Sequence, residues 1–146
     1  MLEEKGSKIF GAYLDRTIRV VRLDLIRRFK EVGADITPEQ WIILSSLSEQ
    51  DGQSQSELAN GSFKNAPTVS RIIDLLCDKG LTVRKRFGNE KRRKKILLTE
   101  KGKTTIKQVL PVVISARKQG WEGLSDQDYE DFIRIINTIF KNIGGE

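Results

Sequence analysis

Apolar residues in this chain recur at intervals of three and four for most of its length, and alternate with polar ones only around Leu81–Val83 and Ile96–Leu98. The first pattern is that of helices buried on one face, the second that of a half-buried strand pair. Caps and breaks divide the helical part into six segments. The first is expected from about Ser7, an N-cap residue, to Gly33, a residue suited to the position just past a helix end. At 1.5 Å per residue it spans on the order of 40 Å, more than one small core can cover, so part of it is expected to pack on a partner. The second opens at Thr37-Pro38-Glu39-Gln40, a capping box with proline at the first helical position, and carries Trp41, Ile42, Ile43, Leu44 and Leu47. A short third begins with a second capping box, Ser54-Gln55-Ser56-Glu57, and Asn60-Gly61-Ser62 reads as the break after it. The fourth runs from Asn65 to Gly80, with Pro67 tolerated in its first turn. Thr99 caps a fifth that reaches roughly Gly120 and contains Pro111, which is expected to bend it, and Ser125 caps the last.

Two helices joined by a tight glycine-containing break, the first of them short, form a helix-turn-helix signal. In the second of the pair, Val69, Ile72, Ile73 and Leu76 form the buried stripe, which leaves Pro67, Ser70, Arg71, Asp74 and Asp78 opposite. The acids near its end would repel phosphate, whereas Asn65, Thr68, Ser70 and Arg71 cluster in the first two turns. The N-terminal end is therefore the one expected in a major groove. Arg71 suits either a guanine or a phosphate; Asn65 suits an adenine or the helix cap, with capping the better reading.

Charge sharpens this picture. Arg84 to Lys95 holds eight basic residues and one acid, Glu90, a local net of +7 in a chain of net +6. A basic run is commonly only a solvated surface. Here alternating apolar residues flank it and Gly88-Asn89 supplies a turn, so it reads as the tip of an ordered hairpin. A cationic hairpin directly after a helix-turn-helix is the winged variant, and the commonest polyanion it meets is a nucleic-acid backbone. Arg92 is the first candidate for an adjacent minor groove, with Lys91 and Arg93 for backbone phosphates and Arg84 and Arg86 as further wing residues at the DNA. Glu90 is expected to pair with a wing arginine and hold its direction. Phe87 is the only aromatic in the segment, too few for the stacking platforms of single-strand binders, so duplex DNA is favoured.

Composition excludes more than it identifies. Histidine is absent and Cys77 is the only thiol, so no Cys/His metal cluster, Cys-His nucleophilic pair or intramolecular disulfide can be built. No phosphate-cradling glycine loop or nucleophile elbow is present, and neither an enzyme nor a cofactor is expected. No apolar run approaches a bilayer span, and the opening MLEEKGSK has no apolar segment of a signal peptide, so a cytoplasmic protein is the simplest expectation. Tyr129, Phe132, Ile136, Ile139 and Ile143 line one face of the last helix, broadened by Ile133 and Phe140, while Ile9, Phe10, Tyr13, Leu14 and Ile18 give the first helix surplus apolar surface. Such stripes commonly serve their own core. Two terminal helices with more apolar face than a small domain can cover favour a dimer interface instead.

Taken together, a long first helix, ELANGSFKNAPTVSRIIDLLCDKGL and a wing ending NEKRRKKILLTEKG resemble the MarR family of bacterial transcriptional regulators over nearly the whole chain. NAPTVSR resembles the start of that family's recognition helix, which implies groove-facing roles for Thr68, Ser70 and Arg71. EKR at Glu90–Arg92 resembles the wing's Asp-x-Arg, with Glu in place of Asp, and LTEKG resembles the junction into the fifth helix. The resemblance implies a homodimer on a pseudo-palindromic operator, often repressing, and released by a small, frequently aromatic or lipophilic anionic effector. Tyr13 and Trp41 lie on segments that line the effector region in that family, although both are equally explained as core residues. Peroxide sensing through a first-helix cysteine is disfavoured; Cys77 suits a small buried hydrophobe.

The expectation is thus a mainly α, winged helix-turn-helix protein with six helices and one small β-hairpin, forming a single domain over residues 1–146. Residues 34–98 make the DNA-binding lobe, and residues 7–33 and 99–146 the dimerisation helices. Its partners are double-stranded DNA, a second copy and a small effector, with no membrane. A non-specific architectural DNA binder or a dimeric protein-binding adaptor is the alternative.

Overall fold

The computed structural model describes residues 10–88 and 94–145. The elements run α1 (Phe10–Glu31), α2 (Pro38–Glu49), β1 (Gln53–Ser54), α3 (Gln55–Ser62), α4 (Ala66–Asp78), β2 (Thr82–Arg86), β3 (Lys94–Leu98), α5 (Glu100–Gly120) and α6 (Asp126–Asn142). The six helices and the hairpin expected from the sequence are all present. Ser7 and Ile9 lie outside the described residues, as does the wing tip from Asn89 to Arg93.

Local side-chain chemistry sets the helix ends. Thr37 Oγ1 accepts the Gln40 amide at 3.1 Å and Gln40 Oε1 accepts the Thr37 amide at 3.2 Å, the capping box that opens α2. Ser125 and Asp128 make the same reciprocal pair at the start of α6. The α1 and α4 helices end alike, on Gly33 and Gly80, each with φ +73°. Around the second, the Gly80 amide donates to Cys77 O and the Leu81 amide to Leu76 O, which satisfies two carbonyls that α4 would otherwise leave open.

Two expectations need correction. The α3 helix runs through Asn60-Gly61-Ser62 and stops instead on Phe63, whose φ is +58°. The sheet has three strands in the order β1-β3-β2, all antiparallel, rather than two. A strand of two residues is too short to show a period. It is fixed by Gln53, a buried polar side chain whose amide donates to the carbonyls of Ser46 at 2.9 Å and Gln50 at 2.7 Å.

The chain forms two compact units, residues 1–113 and 114–146, with the boundary inside α5. The core of the first takes Phe29 from α1, Ile43, Leu44 and Leu47 from α2, Leu58 from α3, the α4 stripe, Ile96 from β3, and Ile106, Val109 and Val113 from α5. The wing base is seated on α5 through a close backbone approach. A Cβ on Gly102 would lie 2.2 Å from the Leu81 carbonyl oxygen, so only glycine fits there. Thr99 completes the junction: its hydroxyl donates to Gly80 O at 2.6 Å and accepts the Gly102 amide at 3.0 Å. In the second unit, Trp121 meets Tyr129 and Phe132 edge-on, at centroid distances of 5.0 and 5.7 Å.

Candidate nucleic-acid interface

The orientation of α4 follows from its buried stripe. Val69, Ile72, Ile73 and Leu76 are all buried against the core of the first unit. The opposite side of the helix must then carry Pro67, Arg71, Asp74 and Asp78, each of which is exposed, with Thr68 and Ser70 half-buried. Asn65 is the N-cap, its Oδ1 accepting the Thr68 amide at 2.9 Å. That side-chain oxygen is committed to the helix and is not a free acceptor for an adenine. Arg71 is exposed and makes no ion pair with any other described residue.

The acids on α4 do not simply oppose a polyanion. Asp74 holds Arg84 of β2 in an ion pair at 2.6 Å, and Arg84 Nε also donates to Gln55 Oε1 of α3 at 3.3 Å. One guanidinium thereby ties the root of the wing to both helices of the helix-turn-helix. From the sequence, Arg84 counts among the DNA contacts. Its nearest partners, 10 and 29 positions away, are visible only once the chain is folded.

Beyond Arg84 the ribbon becomes a ladder of cations. Lys85 faces Lys95 and Arg86 faces Lys94 across the β2–β3 pair, and all four are exposed. Like charges placed directly opposite in a ladder oppose pairing. Their mutual repulsion works against the ladder, and a row of phosphates would relieve it. Phe87 lies under Lys95, with Nζ 5.3 Å from the ring centroid. Glu90, Lys91, Arg92 and Arg93, also named from the sequence, lie outside the described residues.

The other sequence candidates separate. Phe10 and Tyr13 are exposed on α1, with the Arg16 guanidinium 4.9 Å over the Tyr13 ring. Trp41 is buried in the core. On α6, Tyr129 and Phe132 rest partly on Trp121, Ile136 and Ile139 are half-buried, and Ile143 stands at the cap beyond the last turn, largely exposed. Cys77 is half-buried with Sγ 3.3 Å from Thr82 Oγ1. A cleft lies apart from Tyr13 and Trp41, lined by Gly33–Ile36, Lys79, Leu81, Lys101, Thr105 and Gln108. Its two ammonium groups are occupied, Lys79 by Asp35 O and Gln40, Lys101 by Lys79 O.

An ion pair also braces α1 against the reading head. Arg22 donates to both carboxylate oxygens of Glu39, in the first turn of α2. The hydrogen bond from Arg22 holds the Glu39 carboxyl below the usual glutamate range against the opposing effect of burial, and Lys64 lowers it further. Burial raises the Asp24 carboxyl, but the guanidiniums of Arg28 and Arg27 outweigh it and leave Asp24 below the usual range.

Comparison with known proteins agrees with this geometry. Residues 34–93 match the model of the MarR family. A protein of unknown function from Listeria innocua is 30% identical, with 91% of each chain covered and a TM-score of 0.63. The transcriptional repressor CouR, solved bound to a 23-mer DNA duplex, is 26% identical over 90% of this chain and 92% of that one, with a TM-score of 0.77. The regulator PcaV from Streptomyces coelicolor, solved in complex with its natural ligand, shares the fold at a TM-score of 0.77 and 17% identity, over 90% and 91% of the two chains.

Proposed function

Because this chain belongs to the MarR family of DNA-binding transcriptional regulators, we propose that it acts as a homodimeric repressor that sets two α4 helices into a pseudo-palindromic operator and is released by a small effector. The observation that carries this reading is the pairing of opposed cations, Lys85 with Lys95 and Arg86 with Lys94, on a ribbon strapped by Arg84 to the reading helix. Thr68, Ser70 and Arg71 are the proposed groove contacts. Arg86 and the tip residues Lys91, Arg92 and Arg93 are the proposed wing contacts, with Glu90 directing the tip. Arg84 is better assigned as the strut that aims them.

The dimer reading is supported by exposed apolar side chains on two separate helices. Phe10, Tyr13, Leu14 and Ile18 are exposed on α1, and Tyr129, Phe132 and Phe140 on α6. A second copy would cover such faces, and two-fold pairing would place the reading heads roughly 34 Å apart, one turn of duplex. The complex of PcaV with its natural ligand supports a small-molecule effector here, which would act by binding one spacing of the heads better than another. Of the two aromatic candidates, Tyr13 is the one a ligand can reach.

The test is fluorescence anisotropy with a duplex selected from a random library and with its scrambled counterpart, across a salt series, alongside sedimentation to give the mass. A dimer that prefers the selected duplex at moderate salt supports the proposal. A salt-dependent affinity with no preference would mean an architectural binder, and no duplex binding in dilute salt an adaptor; either result overturns it.

A further inference from the structure

Phe63, in the turn between α3 and α4, is the most exposed large apolar residue described, at 99% of its accessible surface. It is also the only non-glycine residue of positive φ among those described, at +58°. Its own amide and that of Lys64 both donate to Ala59 O, so the left-handed conformation is what stops α3 and turns the chain into α4. The turn needs this backbone shape, which glycine or asparagine adopts with less strain than a bulky residue. The phenyl ring returns nothing to the fold in exchange, since it packs on nothing. Strain of this kind collects at functional sites.

Its place in the fold says what the ring meets. Phe63 stands two residues before the Asn65 cap of α4, within about 7 Å of it along the chain, beside the cation Lys64. The end of a reading helix that enters the major groove carries its preceding turn to the groove rim. The apolar group displayed there is the C5-methyl of thymine, the one base edge that an aromatic side chain can recognise without a hydrogen bond. We infer that Phe63 is a specificity-determining contact that closes on a thymine methyl at the edge of each half-site. This rests on α4 being the reading helix.

The experiment compares wild type with Phe63→Gly and Phe63→Asn on the duplex selected by the wild-type protein, with thymines replaced one at a time by uracil. Both variants should melt at or near the wild-type temperature, because each tolerates the left-handed backbone, yet bind roughly tenfold more weakly, as loss of a half-buried ring implies. Wild type should lose affinity at one uracil position per half-site, and the variants should be indifferent to that position. Equal affinity of all three proteins, or no uracil-sensitive position, overturns the inference. If wild type selects no duplex from the library, the DNA-reading assignment of α4 has failed instead.

Discussion

Replacing Gly102 by alanine asks whether the wing is truly seated on α5. The new Cβ would stand 2.2 Å from the Leu81 carbonyl oxygen and 3.2 Å from its carbon. Both are main-chain atoms, so no rotamer change can make room, and the same oxygen accepts the Thr99 amide at 3.1 Å. Alanine gains about 0.5–1 kcal/mol over glycine in helix formation. Forcing the two backbones apart costs about 1–3 kcal/mol, and loosening the Thr99 bond adds about 1 kcal/mol. The net expectation is a loss of about 1–3 kcal/mol, or a melting temperature lower by roughly 3–10 °C for a chain of this size. The control is Gly120→Ala at the far end of α5, where nothing lies within 4 Å. That variant should match or exceed wild type. Thermal and urea denaturation followed by circular dichroism measure both. If Gly102→Ala melts at or above wild type while Gly120→Ala behaves as expected, the close approach of Leu81 to α5 does not exist in solution.

Removing the strut should separate stability from aim. A double-mutant cycle on Asp74→Ala and Arg84→Ala is expected to give a coupling of about 1 kcal/mol in denaturation, because one partner is only 24% exposed. Each single variant should also bind the operator more weakly; additive stabilities would dismiss the bridge. Arg71→Ala should cost about 1–3 kcal/mol of operator affinity and relax one position per half-site if the side chain reads a base. Equal weakening on every sequence would make it a phosphate contact. For Glu39, a carboxyl depressed in the fold contributes stability that is complete above its unfolded value of about 4.3 and lost as pH falls through the lower folded value. Glu39→Gln should therefore melt below wild type at pH 7, and the two curves should converge in acid. A gap that does not shrink at all as pH falls below about 4.3 would rule out the Arg22 pair as its source.

The sequence was most legible where chemistry acts within a few residues. Thr37, Ser54, Asn65, Thr99 and Ser125 all accept hydrogen bonds at the helix starts expected of them, because a cap and its amide are three positions apart. The α4 stripe was legible for the same reason. What escaped depends on meetings between distant segments. Arg84 looks like one more wing cation until Asp74 and Gln55 are brought to it. Gly102 looks like a weak point in a helix start until the Leu81 carbonyl is laid against it. The turn at Phe63 was misplaced because Asn60-Gly61-Ser62 carries the stronger break signal, whereas the left-handed residue is one whose side chain argues against that conformation.

The self-repelling ladder of Lys85, Lys95, Arg86 and Lys94 also bears on how binding data should be read. A ribbon so dense in charge gathers its own cloud of small anions when free, and these too are set loose when a duplex takes their place. The dependence of affinity on ionic strength then reflects ions shed from both surfaces. A slope converted directly into a number of phosphates would overcount the contacts made.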